Sequence, residues 1–228
     1  MHKRLFSQIS RPRTLTPLWL YFCLILLVAC EGKTSTPTPI IRPPVRQVLV
    51  LPNVGIHDFN TLDPAQGSDQ NSLVAMNMLY SGLVRLDQNL NVTSDQASWT
   101  ISPDRKVYTF HLRPVVTFSD GTPVTAQTYV YTLTRALLST VQANAQSSEA
   151  MLFLGNIAGA ADVNAGKVTT LSGVQATDDS TLVITLSQPT DYFLQALANP
   201  LAFPLNQTVI QHYGETDWSN HVAHNGVG

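Results

Sequence analysis

The residues of this chain whose types could do chemistry do not assemble into a reacting set. Two cysteines, Cys23 and Cys30, are the possible thiol nucleophiles, yet Cys23 lies in an apolar leader expected to be removed and Cys30 is expected to carry lipid, which leaves no free thiol, and no G-x-S-x-G turn offers a serine in their place. His221 and His224 stand three apart among Gly and Asn residues, a spacing that reads as loop, with no cysteine or acidic ligand expected beside them to complete a zinc or nickel site. His57-Asp58 has the same weakness. Asp178 and Asp179 are adjacent on a predicted turn, so their carboxylates point apart and cannot share a proton as an acid/base pair does. The glycines at 155, 159 and 166 lack the Gly-Lys-Ser/Thr ending that a phosphate-cradling loop needs. No catalytic residue, metal ligand set or cofactor site is expected. What stands out instead is the polar stretch 54–71, which places Asp58, Asp63 and Asp69 between two apolar segments. A long loop of that kind in a compact domain is often functional.

The elements that must hold such a loop are legible from periodicity. Trp99 to Ile101 and Val107 to Leu112 flank Ser102-Pro103-Asp104-Arg105-Lys106, a polar turn after proline, and predict a β-hairpin. Alternation at period two puts Tyr108, Phe110 and Leu112 on one buried face. Ser119-Asp120-Gly121-Thr122-Pro123 reads as a second turn, with Gly121 supplying positive φ. A helix follows, capped by Thr125, whose Tyr129, Leu133, Ala136 and Leu137 recur at helical steps. A second hairpin is predicted from Val174 to Leu186 around Asp178-Asp179-Ser180. Further helices are predicted from a cap at Ser72 through Tyr80 with Leu73, Met76 and Leu79/Tyr80 facing the core, over 157–165 with Gly166 at its end, over 192–198 capped by Thr190 or Asp191, and over 207–213. The first strand is expected at Gln47 to Leu51.

Composition sets the class and the address. With 228 residues, 44% of them hydrophobic and 12% charged, the chain can bury a core. Lys3, Arg4, Arg11 and Arg13 precede an apolar run from Leu18 to Ala29, the layout of a secretory signal, and its dozen residues fall short of the ~20 that span a bilayer. The run ends Leu27-Val28-Ala29-Cys30, which resembles the lipobox of bacterial lipoproteins and makes Cys30 the expected lipidated first residue. Cleavage there removes four of the thirteen basic residues and none of the fifteen acidic ones, leaving a net charge of −6. A nucleic-acid surface would need clustered Lys and Arg, so none is expected. Residues 30–46, with the Thr/Pro-rich run EGKTSTPTPIIRPPVR, read as an extended tether.

The order of the motifs carries a resemblance. W-T-I-S-P-D at Trp99, Y-T-F-H-L-R at Tyr108, F-S-D-G-T-P-V-T-A at Phe118 and a Tyr-rich helix ending Thr134-Arg135-Ala136-Leu137 follow Thr61-Leu62-Asp63-Pro64 and Leu79-Tyr80-Ser81-Gly82-Leu83. They precede Gly173-Val174, Asp179-Ser180-Thr181-Leu182 and Leu186-Ser187-Gln188-Pro189. From about Gln47 to Gly228 this resembles the extracellular solute-binding proteins of family 5, the oligopeptide- and dipeptide-binding proteins of ABC importers. The resemblance implies an α/β, periplasmic-binding-protein-like fold of the type II, two-lobed kind, of which 47–228 is expected to be the N-terminal part, with a smaller subdomain around Thr117 to Leu171. It also implies a peptide or other small-solute ligand, ABC permease subunits as partners, a membrane held through the lipid anchor on the extracellular or periplasmic side, and no catalysis. Carried over by position after the L-D-P motif, the cleft-lining loop falls on Ser68, Asp69 and Gln70. A sugar or a nickel chelate is the alternative solute within the family. An extracellular hydrolase is the alternative from another class, and lacks a nucleophile set.

Overall fold

A computed structural model describes residues 60–67, 69–142 and 149–224. The signal segment, Cys30, the tether, the strand expected at Gln47 to Leu51, His57-Asp58 and Ser68 lie outside the described residues. The chain enters α1 (Gln70–Leu79), then a two-stranded ribbon of β1 (Val84–Leu86) and β2 (Val92–Ser94). A four-stranded sheet begins with β3 (Ala97–Ile101) and β4 (Val107–Leu112) and is resumed, after α2 (Ala126–Leu137), α3 (Ser139–Gln142), α4 (Glu149–Leu154) and α5 (Ala160–Asn164), by β5 (Val174–Ala176) and β6 (Thr181–Thr185). Helices α6 (Phe193–Leu197) and α7 (Gln207–Tyr213) and 3₁₀ segments at Pro200–Ala202 and Trp218–His224 close the described part.

Both predicted hairpins form. β3 and β4 pair antiparallel with Trp99 opposite Phe110, β5 and β6 pair with Val174 opposite Ile184, and β4 against β6 joins the two into the order β3-β4-β6-β5. Tyr108 and Phe110 of β4 and Leu182 and Ile184 of β6 point to one face, and all four are at most 2% exposed. On the opposite face Thr109 and Thr185 are half-buried and His111 is exposed, the alternation that a sheet with one covered face requires. Helix α2 covers the buried face. Its Tyr129, Leu133, Ala136 and Leu137 are buried as the spacing predicts, against β5 and β6. At its start Thr125 and Thr128 form a capping box, the N–H of Thr125 donating to Thr128 Oγ1 at 3.1 Å. Gly121 has φ 86°, and the N–H of Thr122 donates to Asp120 Oδ1, which closes the predicted turn. Gly173 lets two backbones meet: a Cβ there would lie 2.7 Å from the carbonyl oxygens of Ala158 and Thr185.

Several boundaries differ from the sequence reading, each for a local reason. α1 starts at Gln70 with Asp69 as its cap, because the Asp69 carboxylate accepts from the N–H of Ser72. Ser72, expected as the cap, is instead buried in the first turn, its Oγ donating to Asp69 Oδ2 and accepting from the N–H groups of Asn60 and Thr61. Leu79 is exposed because the chain leaves the helix at Tyr80, which turns inward in its place. The helix expected over 157–165 is only α5: Ile157 is held in a β-bridge to Leu186, and Gly159 at φ 84° starts the helix. Neither Thr190 nor Asp191 caps α6, since Asp191 pairs with Arg105 at 2.8 Å and Thr190 Oγ1 donates to the carbonyl of Gln188. His221 and His224, whose surroundings read as loop, fall in the 3₁₀ segment Trp218–His224.

Candidate functional site

The loop that precedes α1 is fixed by charge. Asp63, of the L-D-P motif, and Arg135, on α2, are each 2% exposed, and a guanidinium buried that far from water must be paired. Arg135 Nη1 and Nη2 donate to the two Asp63 carboxylate oxygens at 3.0 and 2.7 Å, a bidentate pair. Asp63 Oδ1 also accepts from the N–H of Ala65, so the carboxylate shapes its own loop. On the other side Arg135 Nε and Nη2 donate to Glu215 Oε2 at 3.0 and 2.7 Å, and Trp218 lies over the guanidinium with its ring centroid 5.4 Å away. Burial alone would lower the Arg135 pKa, but hydrogen bonding and attraction from Asp63 and Glu215 together raise it, so the charge is permanent. Around the cluster Tyr80 donates to the carbonyl of Leu62, and burial pushes the Tyr131 phenol up to about 12.

This cluster ties three separated segments: the loop at 61–67, α2, and the turn after α7. Sequence reasoning noticed Asp63 and Arg135 within separate motifs and missed that they meet. The available signal was an arginine within Leu133-Thr134-Arg135-Ala136-Leu137, an apolar helix segment without an acidic neighbour, which obliges a carboxylate to arrive from elsewhere.

Beside α1 runs an open groove of about 640 Å³, within the range of small-molecule clefts. Leu73 and Asn77 of α1 line one side, and Val84, Arg85 and Leu86 of β1 line another with Asp95. Tyr80, Phe153, Pro200 and Phe203 give it apolar walls, and Ser81, Gln195 and Asn199 add polar groups. Such a lining can hold a solute through apolar contact and a few directed hydrogen bonds; among the described residues that line it, no nucleophile is paired with a base.

Of the residues expected to bind ligand, Asp69 stands at the N-terminus of α1, one turn before Leu73. Hydrogen bonds from the Ser72 side chain and N–H hold its carboxyl below the usual range. Gln70 is the exposed first residue of α1, and neither it nor Asp69 is in the groove lining. Asp178 binds Ser180 within its own turn. His221, expected beside no acidic group, approaches Asp217 Oδ2 at 3.3 Å and stacks on Tyr213 with centroids 3.7 Å apart. Among the described residues no group of three His, Cys, Asp or Glu side chains could hold a metal ion.

A sheet covered by helices on one face, with a groove beside its entry helix, matches solved proteins of the periplasmic-binding-protein-like, type II class. The model of bacterial extracellular solute-binding proteins, family 5 (middle part) matches residues 96–228. The chain is 37% identical over 214 residues to the probable deoxycholate-binding periplasmic protein YgiS of Escherichia coli, covering 92% of this chain and 38% of that protein. It is 41% identical over 140 residues to the periplasmic oligopeptide-binding protein OppA of Escherichia coli, covering 60% of this chain and 25% of that protein. Its fold resembles the solved structure of Listeria monocytogenes OppA bound to peptide, with a TM-score of 0.64 and 35% identity over 70% of this chain and 31% of that one. The chain belongs to the bacterial extracellular solute-binding proteins of family 5. It spans about a third of the length of the relatives it matches.

Proposed function

We propose that this chain belongs to a lipid-anchored, extracellular or periplasmic binding protein that captures oligopeptides and hands them to the permease of an ABC importer, without catalysis. The observation that carries this reading is the match in sequence and fold to a relative solved with a peptide bound, joined to a groove that offers polar and apolar surface but no reacting set. In this reading Cys30 carries the lipid after removal of residues 1–29, residues 30–46 are the tether, and 47–228 is the N-terminal part of the binding domain. Ser68, Asp69 and Gln70 then contribute to the cleft at the N-terminal end of α1.

A second reading has a specific observation behind it. The relative that aligns with 92% of the chain is named as a probable deoxycholate binder, and the aromatic walls of the groove suit an amphipathic steroid as well as a peptide side chain. A sugar or a nickel chelate has no such support here, and a hydrolase has no reacting set among the described residues to support it. Calorimetric titration of the full-length chain with a mixed tripeptide library, and separately with deoxycholate, distinguishes them. Heat from the peptides with none from the steroid is the expected result; binding of deoxycholate alone would overturn the peptide reading. For the anchor, Cys30→Ser is expected to move the protein to the soluble fraction, and unchanged membrane association would refute it.

A further inference from the structure

Thr134, on α2, is the buried threonine whose hydroxyl has no hydrogen-bond partner among the described residues; it is 9% exposed. Its buried counterparts are paired, as buried polar groups almost always are: Thr132 Oγ1 accepts from the N–H of Leu205 at 3.0 Å, and Thr190 Oγ1 donates to the carbonyl of Gln188. A threonine inside a helix can also bond the carbonyl one turn back, yet Thr134 makes no such bond to Val130. The fully enclosed side-chain polar atom without a partner among the described residues is Trp218 Nε1, so the Thr134 hydroxyl keeps some open surface. The space that Thr134 borders is a second cavity, of about 300 Å³, which shares no lining residue with the groove beside α1.

The charge of this cavity is set by the cluster in its wall, since Arg135 and Glu215 both line it. Two carboxylates, Asp63 and Glu215, share one guanidinium, which leaves one surplus negative charge. Both Arg135 bonds to Glu215 end on Oε2, so Oε1 has no donor among the described residues, and the Glu215 side chain is 55% exposed. Lys167, close in sequence to Thr169 and Thr170 of the lining, is taken by Asp162 at 3.1 Å. Apolar surface comes from Val130, Tyr131 and Leu138.

We propose that this cavity binds a small primary amine as its ammonium ion, the N–H donors going to Glu215 Oε1 and the Thr134 hydroxyl and the alkyl stem lying along Val130, Tyr131 and Leu138. An ammonium brings three donors and no acceptor, which suits a wall whose unused polar atoms are a carboxylate oxygen and a hydroxyl. A divalent cation takes about six oxygens, several of them from carboxylates, and one free carboxylate oxygen falls short of that. At roughly 30 Å³ per water-sized group, the space holds on the order of ten non-hydrogen atoms, enough for a short alkylamine. An anion would meet the surplus charge of the cluster, and a neutral alcohol would gain nothing from it. The site is independent of what the groove holds.

Calorimetric titration of the full-length chain with n-butylamine, n-butanol and butyrate at neutral pH tests this. The amine is expected to bind about tenfold or more tighter than the alcohol, the worth of one charge-assisted hydrogen bond, and butyrate more weakly still. A saturating tripeptide should leave the amine's affinity unchanged. Glu215→Gln should bring the amine down to the level of the alcohol. Thr134→Val should weaken amine binding by about fivefold, while its melting temperature without amine stays equal to or above that of wild type, because valine removes a hydroxyl that has no partner. Equal wild-type affinity for amine and alcohol, or no amine binding at all, would overturn the proposal, and neither result needs a variant to fold. Displacement of the amine by the tripeptide would assign it to the groove and overturn this site. Should Glu215→Gln fail to fold, unchanged amine affinity in Thr134→Val alone would still overturn it.

Discussion

The sheet under α2 and the region around α1 and Trp218 solve the problem of burial in opposite ways. In the sheet region the buried side chains are apolar and alternate at period two: Tyr108, Phe110, Leu182 and Ile184 meet Tyr129 and Leu133, and Phe193 packs on Tyr108 with ring centroids 5.0 Å apart. In the other region a smaller apolar cluster of Leu62, Met76, Tyr80, Phe203, Leu205, Ile210 and Trp218 lies beside a buried guanidinium with two carboxylates. Apolar burial is non-directional and tolerates repacking, whereas a buried ion pair works only when its geometry is complete. The first region is a scaffold. The second fixes a loop at one angle, at the end of the helix that borders the groove.

Removing one residue from each region should cost a similar amount and be repaired differently. Arg135→Met strands the Asp63 carboxylate away from water and should destabilise the fold by about 3 to 5 kcal/mol; adding Asp63→Leu should recover most of that loss, since a buried ion pair replaced whole by apolar groups is close to neutral. Phe110→Ala should cost about 3 to 5 kcal/mol through the cavity it leaves, and no change at position 63 should recover any of it. Chemical denaturation of the two single variants and both doubles decides. If Asp63→Leu fails to repair Arg135→Met, the cluster does more than neutralise charge.

A smaller effect belongs to the helix cap. Asp69→Ala should destabilise α1 by about 0.5 to 2 kcal/mol through loss of the cap. Because the folded carboxyl titrates below its ordinary value of 3.8, the wild-type cap should be fully effective above that pH and fade as the pH falls through the lowered value. The difference between Asp69→Ala and wild type, measured by thermal melts from pH 7 to pH 2.5, should shrink at the acid end. A constant difference would mean that the carboxylate is not the capping group.

The same contrast explains what was legible in the sequence. Period-two alternation at Tyr108/Phe110/Leu112 and helical spacing at Tyr129/Leu133/Ala136 encode their own burial, because the element's geometry decides which side chains share a face. Both hairpins and α2 were therefore readable from local sequence. The boundary of α1 was not, since Asp69 and Ser72 are both good capping residues and the winner depends on Asn60 and Thr61, which need the Ser72 hydroxyl. The partnership of Asp63, Arg135 and Glu215 joins positions 72 and 80 residues apart, and no periodicity records a contact at that distance. The groove is likewise a product of tertiary placement: Asn77, Arg85, Asp95 and Asn199 come from four segments with no shared motif.

That the α1 side binds while the sheet supports is tested most directly by hydrogen exchange of the full-length chain with and without a saturating tripeptide. Protection is expected to rise in the segments that border the groove, 69–86 and 195–203, and to stay unchanged in β3 and β4 at 97–112. Protection appearing in the sheet strands with none along α1 and β1 would contradict the assignment of the groove as the binding surface.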